Sequence, residues 1–120
     1  MFHLSLPVNC FKDCLDFYVK LFDADVVMLS EHAANLFVFG GQITFHDKQN
    51  TPLSEAGRDQ MHFGQVVTAE KWHNIREILV RHSQHLLKYD EPGSTTSGRG
   101  KLVVRDPSGN LIEINSQAAS

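Results

Sequence analysis

Apolar and polar residues alternate along Phe2-His3-Leu4-Ser5-Leu6-Pro7-Val8, with Phe2, Leu4 and Leu6 on one side and His3, Ser5 and Pro7 on the other. This is the period-two pattern of a strand. Beyond it, Phe11, Cys14, Leu15, Tyr18 and Phe22 recur at helical spacing, and Asn9 stands where an N-cap belongs. The helical stripe is expected to pack on Phe2, Leu4 and Leu6. Three shorter strands follow near Asp25 to Leu29, Asn35 to Phe39 and Gln42 to Asp47, with Gly40-Gly41 as a turn signal.

Lys48 to Gln60 is polar, contains Pro52 and Gly57 and has no sustained periodicity, so it reads as a connector. The order of elements then repeats. Met61 to Val67 reads as a strand, Thr68 as an N-cap, and Trp72, Ile75, Ile78 and Leu79 as the stripe of a second helix. His85 to Tyr89 begins the next strand, and Glu91 to Gly100 is a loop rich in Gly, Ser and Thr. Lys101 to Arg105 is a strand, and Asp106-Pro107-Ser108-Gly109-Asn110 is a turn leading into the last one. The expected architecture is α+β: one domain of two paired βαβββ modules, at about 1–50 and 61–120, joined by a connector at about 51–60. A curved mixed sheet would surround a cleft.

A chain of 120 residues with 42% hydrophobic content can bury an ordinary core without disulfides. A formal charge of -3, with basic residues scattered among acids, leaves no stripe that would follow a phosphate backbone. Nucleic acid is therefore not an expected partner. Neither a spanning apolar run nor a leader pattern occurs, so the reading excludes a membrane and places the chain in the cytoplasm. Cys10 and Cys14, four apart, read as small hydrophobes facing one side of the first helix.

The repeat also carries candidate chemistry. His3 and His62 sit between apolar residues at the start of each module, 59 apart, and each module ends in a strand with a further candidate ligand, His46 or Glu113. Ile43 and Phe45, like Ile112 and Ile114, would face a helix, leaving His46 and Glu113 on the opposite side with His3 and His62. Four such residues would suit a divalent ion such as Fe, Mn, Ni or Zn, which accepts imidazole nitrogen and carboxylate oxygen. Thr44, on the same face as His46, would take its place if the register slips. His32, His73, His82 and His85 read as surface residues.

The phrases Phe2-His3-Leu4-Ser5-Leu6-Pro7-Val8, Leu15-Asp16-Phe17-Tyr18-Val19-Lys20-Leu21-Phe22, Met61-His62-Phe63 and Asp106-Pro107-Ser108-Gly109-Asn110-Leu111-Ile112-Glu113 together resemble the vicinal oxygen chelate superfamily. That group includes glyoxalase I, fosfomycin-resistance proteins, extradiol dioxygenases and bleomycin-binding proteins. The resemblance implies a metal that chelates neighbouring oxygens of a small-molecule substrate, with His3, His62 and Glu113 as ligands and Glu113 as a catalytic residue. His46 stands where glyoxalase I-like members carry a second glutamate. Ser5 is implied as a substrate-contacting hydroxyl, and a homodimer as the assembly. The implied activity is a metal-dependent glyoxalase- or dioxygenase-like reaction. Its alternatives are a metal-free binding protein of the bleomycin-resistance type and a fosfomycin-type thiol transferase, for which Arg99, Lys101 and Arg105 would be the cationic candidates.

Overall fold

The alternation at the N-terminus forms β1 (His3–Val8), and the helical stripe forms α1 (Phe11–Phe22). They are followed by β2 (Asp25–Ser30), β3 (Ala33–Val38) and β4 (Gly41–Asp47), which complete the first module. A short α2 (Glu55–Arg58) precedes the second module of β5 (His62–Val67), α3 (Ala69–Arg81), β6 (Leu86–Asp90), β7 (Lys101–Arg105) and β8 (Leu111–Ser116). This is a computed structural model that describes residues 1–48, 55–82, 86–94 and 96–117. Residues 49–54 of the expected connector, and His85 at the start of a predicted strand, lie outside the described residues. No described helix is long and apolar enough to cross a membrane.

Each module makes a four-stranded mixed sheet, in the orders β1-β4-β3-β2 and β5-β8-β7-β6. The first strand pairs parallel with the last, and the other three form an antiparallel meander. The expected α+β pair of βαβββ modules is therefore present. The chain divides into two compact units, Met1–Gln60 with Pro107–Gly109 and Met61–Asp106 with Asn110–Ser120.

The first core is aromatic. Tyr18 and Phe45 are fully buried with ring centroids 5.2 Å apart, and Phe17 meets Tyr18 edge-on at 5.0 Å. The helix lies over β2, β3 and β4 rather than chiefly on β1. Its buried positions are Phe11, Cys14, Phe17, Tyr18 and Leu21, so Leu15 and Phe22 are at the margin of the stripe. Phe2, expected in the core, is 70% exposed and precedes the first strand. The β3–β4 turn is Phe39-Gly40, one residue earlier than the glycine pair suggested, and both residues have positive φ (57° and 74°). Such a two-residue turn matches the twist of a hairpin, and the strain of a left-handed phenylalanine is offset by its ring contact with Phe22 at 5.1 Å.

The cap of α1 also departs from the local pattern. Cys10, not Asn9, occupies the N-cap in left-handed conformation (φ 50°) without a side-chain cap bond. Asn9 instead donates its backbone N–H to Ser108 Oγ (3.0 Å) and accepts from that hydroxyl at its own Oδ1 (2.9 Å). The left-handed turn leaves Cys10 exposed while Cys14 is buried, so the two thiols do not share a side. In the second module Thr68 caps α3 as its sequence implies, accepting from the Lys71 N–H at 3.2 Å. The core there is Trp72, Leu79, Leu102, Val104, Ile112 and Ile114.

Candidate functional site

Strand alternation in β8 buries Ile112 and Ile114 and turns Leu111, Glu113 and Asn115 to the opposite face of the sheet. On one side Glu113 lies opposite Gly64 of β5, on the other opposite Val103 of β7. A Cβ at Gly64 would collide with the Glu113 carbonyl, so the close approach of the two strands needs a glycine there.

The Glu113 carboxylate is gripped at both oxygens. Oε2 lies 3.2 Å from His62 Nε2 and accepts from Asn115 Nδ2 at 3.1 Å, while Oε1 lies 3.1 Å from Lys101 Nζ. Burial pushes its pKa up, but hydrogen bonds from Lys101 and Asn115 and the charges of Lys101 and His62 outweigh burial and hold it below its ordinary value. The pattern is that of a carboxylate built to remain ionised.

The matching face of the first module carries His3 and Ser5 on β1 and Gln42, Thr44 and His46 on β4. Thr44 is buried and donates to Asn35 Oδ1 at 2.7 Å, and Gln42 Nε2 approaches both Thr44 Oγ1 and His3 Nδ1 at 3.4 Å. His46 is exposed, opposite Pro7 and Ala33. Register settles which positions correspond between modules. Ser5 faces Thr44 in the β1–β4 pair as Gly64 faces Glu113 in the β5–β8 pair, and His3 and His62 start the equivalent strands. Thr44 thus stands at the position equivalent to Glu113, and His46 at that of Asn115. Ser5 is exposed on the same face as His3.

Of the four proposed ligands, the structure pairs His62 with Glu113, places His3 beside Gln42, and sets His46 at a different position in the repeat. Among the described residues no three His, Cys, Asp or Glu side chains gather into a metal-binding group. The pair in the second module nevertheless fits a divalent ion. Nitrogen and oxygen ligands at about 2.1 Å from one ion, with an angle between right and tetrahedral, stand roughly 3.0–3.4 Å apart, and Nε2 and Oε2 are 3.2 Å apart. Lys101 on Oε1 and Asn115 on Oε2 would then be the outer partners that orient such a carboxylate.

In the sequence Lys101 reads as a cationic candidate for an anionic substrate rather than as a partner of Glu113, and Asn115 carries no role. Both carry a signal in retrospect: Asn115 is two residues beyond Glu113 on one strand, and Lys101 opposes Asn115 on the next. The two also line a cavity of about 310 Å³ with Asp90, Ser97, Arg99 and Gly100. Arg99, which also lines it, donates Nε to the Ser116 carbonyl at 3.2 Å, which anchors its guanidinium. Of the remaining histidines, His32 and His73 are exposed, His82 ends α3, and Trp72 meets the His73 ring edge-on.

Residues 1–114 match the family model described as Glyoxalase/Bleomycin resistance protein/Dioxygenase superfamily. Among solved structures, the fold is similar to that of a genomically encoded fosfomycin resistance protein, FosX, from Listeria monocytogenes. Its TM-score is 0.78 at 13% identity, over 98% of this chain and 93% of that one. It is also similar to lactoylglutathione lyase from Agrobacterium tumefaciens, with a TM-score of 0.73 at 14% identity over 97% and 92% of the two chains. A glyoxalase/bleomycin resistance protein/dioxygenase from Alicyclobacillus acidocaldarius gives a TM-score of 0.71 at 21% identity over 97% and 89%. At these identities the likeness is one of fold.

Proposed function

Taking as premise that the chain belongs to the Glyoxalase/Bleomycin resistance protein/Dioxygenase superfamily, we propose that it is a metal-dependent enzyme acting on a small substrate with two neighbouring oxygens. The observation that carries this reading is the 3.2 Å pairing of His62 Nε2 with an ionised, outer-braced Glu113. His62 and Glu113 would hold the ion, with His3 as the third ligand. His46 is the fourth candidate and Thr44 its alternative. The metal, one of Fe, Mn, Ni or Zn, would act as a Lewis acid that polarises the substrate oxygens.

The residues divide the remaining work. Glu113, held below its ordinary pKa by Lys101 and Asn115, is suited to carry negative charge rather than to take up a proton, which favours a ligand over a general base. A glyoxalase-type role as base would require Lys101 to release Oε1. Ser5, on the same strand face as His3, would hydrogen-bond a substrate oxygen. Arg99 and Lys101, two cations against Asp90 in the lining of the cavity in the second module, would favour a substrate with an anionic group, the feature a thiol transferase of the fosfomycin type would use. We further propose a homodimer in the cytoplasm as the working form.

The other reading, a metal-free binding protein, draws support from one observation: an ammonium already neutralises Glu113 at 3.1 Å. Assay of the protein loaded with each metal separates the two. Isomerisation of a thiol adduct of a 2-oxoaldehyde, opening of an anionic epoxide, and ring cleavage of a catechol represent the three chemistries. The enzyme reading expects turnover in one of them, reduced on the order of 100-fold or more in His62→Ala and Glu113→Gln. Tight substrate binding without turnover in any, unchanged by metal, would replace it with the binding reading.

A further inference from the structure

We propose that the first unit carries a second binding site, for an amphipathic organic cation, on the helix side of its sheet and thus on the face opposite His3 and Thr44. A cavity of about 730 Å³ opens there between the start of α1, the end of β2 and the end of β4. That volume lies within the range of small-molecule sites. Its apolar lining comes from Phe11 and Leu15 on α1 and Met28 on β2. Met28 is 51% exposed and Leu15 half-buried, so this apolar surface faces the opening. Both departures noted above belong here: Leu15 falls out of the core stripe, and the left-handed turn at Cys10 brings its residue to the wall of the same cavity.

The charge at the wall selects the ligand. Asp13, Glu31 and Asp47 line the cavity against a single lysine, Lys12. Asp47 shares the inward parity of Ile43 and Phe45, and its side chain is only 4% exposed, with Oδ2 3.5 Å from Nδ1 of a largely exposed His32. An acid placed at the inner end of an apolar-lined cavity, with two more at its wall, complements a ligand with an ammonium head and an apolar body. An anionic amphiphile of the same size would meet three carboxylates, with only Lys12 and the His32 ring beside Asp47 to partner it.

Of the three methionines, Met1, Met28 and Met61, only Met28 lines the cavity, so its methyl carbon is a local reporter. The protein, labelled with ¹³C at the methionine methyls, would be titrated with n-octylammonium and, separately, with octanoate. The expected result is a saturable shift of Met28 alone with octylammonium, and binding of octanoate weaker by about tenfold or more. Glu31→Gln, a change at an exposed position, should weaken octylammonium several-fold, and Leu15→Trp should abolish the shift by filling the cavity. Asp47→Asn should weaken it further if that variant folds. Equal response to both amphiphiles, a shift of Met1 and Met61 alongside Met28, or no shift of Met28 would each overturn the proposal.

Discussion

Glu113 concentrates the account at the level of a single residue. Burial alone would raise its pKa, and the net lowering is the work of Lys101, Asn115 and His62. Lys101→Met should therefore move the Glu113 pKa upward, which ¹³C titration of the side-chain carboxyl reads directly. The sign for stability follows by linkage. A carboxylate with a depressed folded pKa contributes stability that is complete above its unfolded value of about 4.5 and is lost as pH falls through the lower folded value. Acid unfolding of Lys101→Met should accordingly begin at higher pH than that of the wild type, and a coincident pair of acid transitions would contradict the assignment. Glu113 and His62 were legible in the sequence because each is a polar residue set between apolar neighbours in a strand. The grip on Glu113 was not, since it depends on which residue of β7 lies beside β8, a matter of register between strands.

Among the elements, the Asp106–Asn110 turn shows how a short phrase can serve two purposes. The buried Asp106 carboxylate accepts the Asn110 N–H at 2.9 Å and its side-chain amide at 3.1 Å, and the Asp106 N–H donates to the Asn110 carbonyl at 2.9 Å. This closes the turn and sets the start of the strand that delivers Glu113. Within the first unit, the turn's Ser108 takes the Asn9 bonds and accepts from Arg58 Nη1 at its carbonyl (2.5 Å). Gly109 has a φ of 94°, and a Cβ there would press on the Arg58 guanidinium. Asp106→Ala, which strands buried donors, should cost about 1–3 kcal/mol, measured by denaturant unfolding. Thr68→Ala should cost about 1 kcal/mol through the lost cap. The same cap rule succeeded at Thr68 and failed at Asn9 for a physical reason: the partner that claims Asn9 is Ser108, far away in the chain and invisible to any local pattern.

The molecule as a whole is a repeat whose halves keep one topology with different interiors and different open faces. One half packs aromatic rings around Tyr18 and Phe45, the other aliphatic residues around Trp72. Either Phe45→Ala or Trp72→Ala should cost about 3–5 kcal/mol, which calorimetry would register as a lowered melting temperature. Periodicity revealed the two modules because buried faces must repeat at 2 or 3.6 residues. It matched His46 to Glu113 by counting, whereas strand pairing matches Thr44, because counting across loops carries no register. The open faces differ accordingly: His3, Gln42 and Thr44 in one, and His62, Glu113, Asn115 and Lys101 in the other. The central claim is that the charged face holds a divalent ion. The most direct test is the metal content and affinity of protein loaded in turn with Mn, Ni, Zn and Fe(II), beside His62→Ala and Glu113→Gln. The account predicts about one ion per chain, lost in both variants. Wild-type protein that retains none of these ions, or variants that bind as well as the wild type, would contradict it.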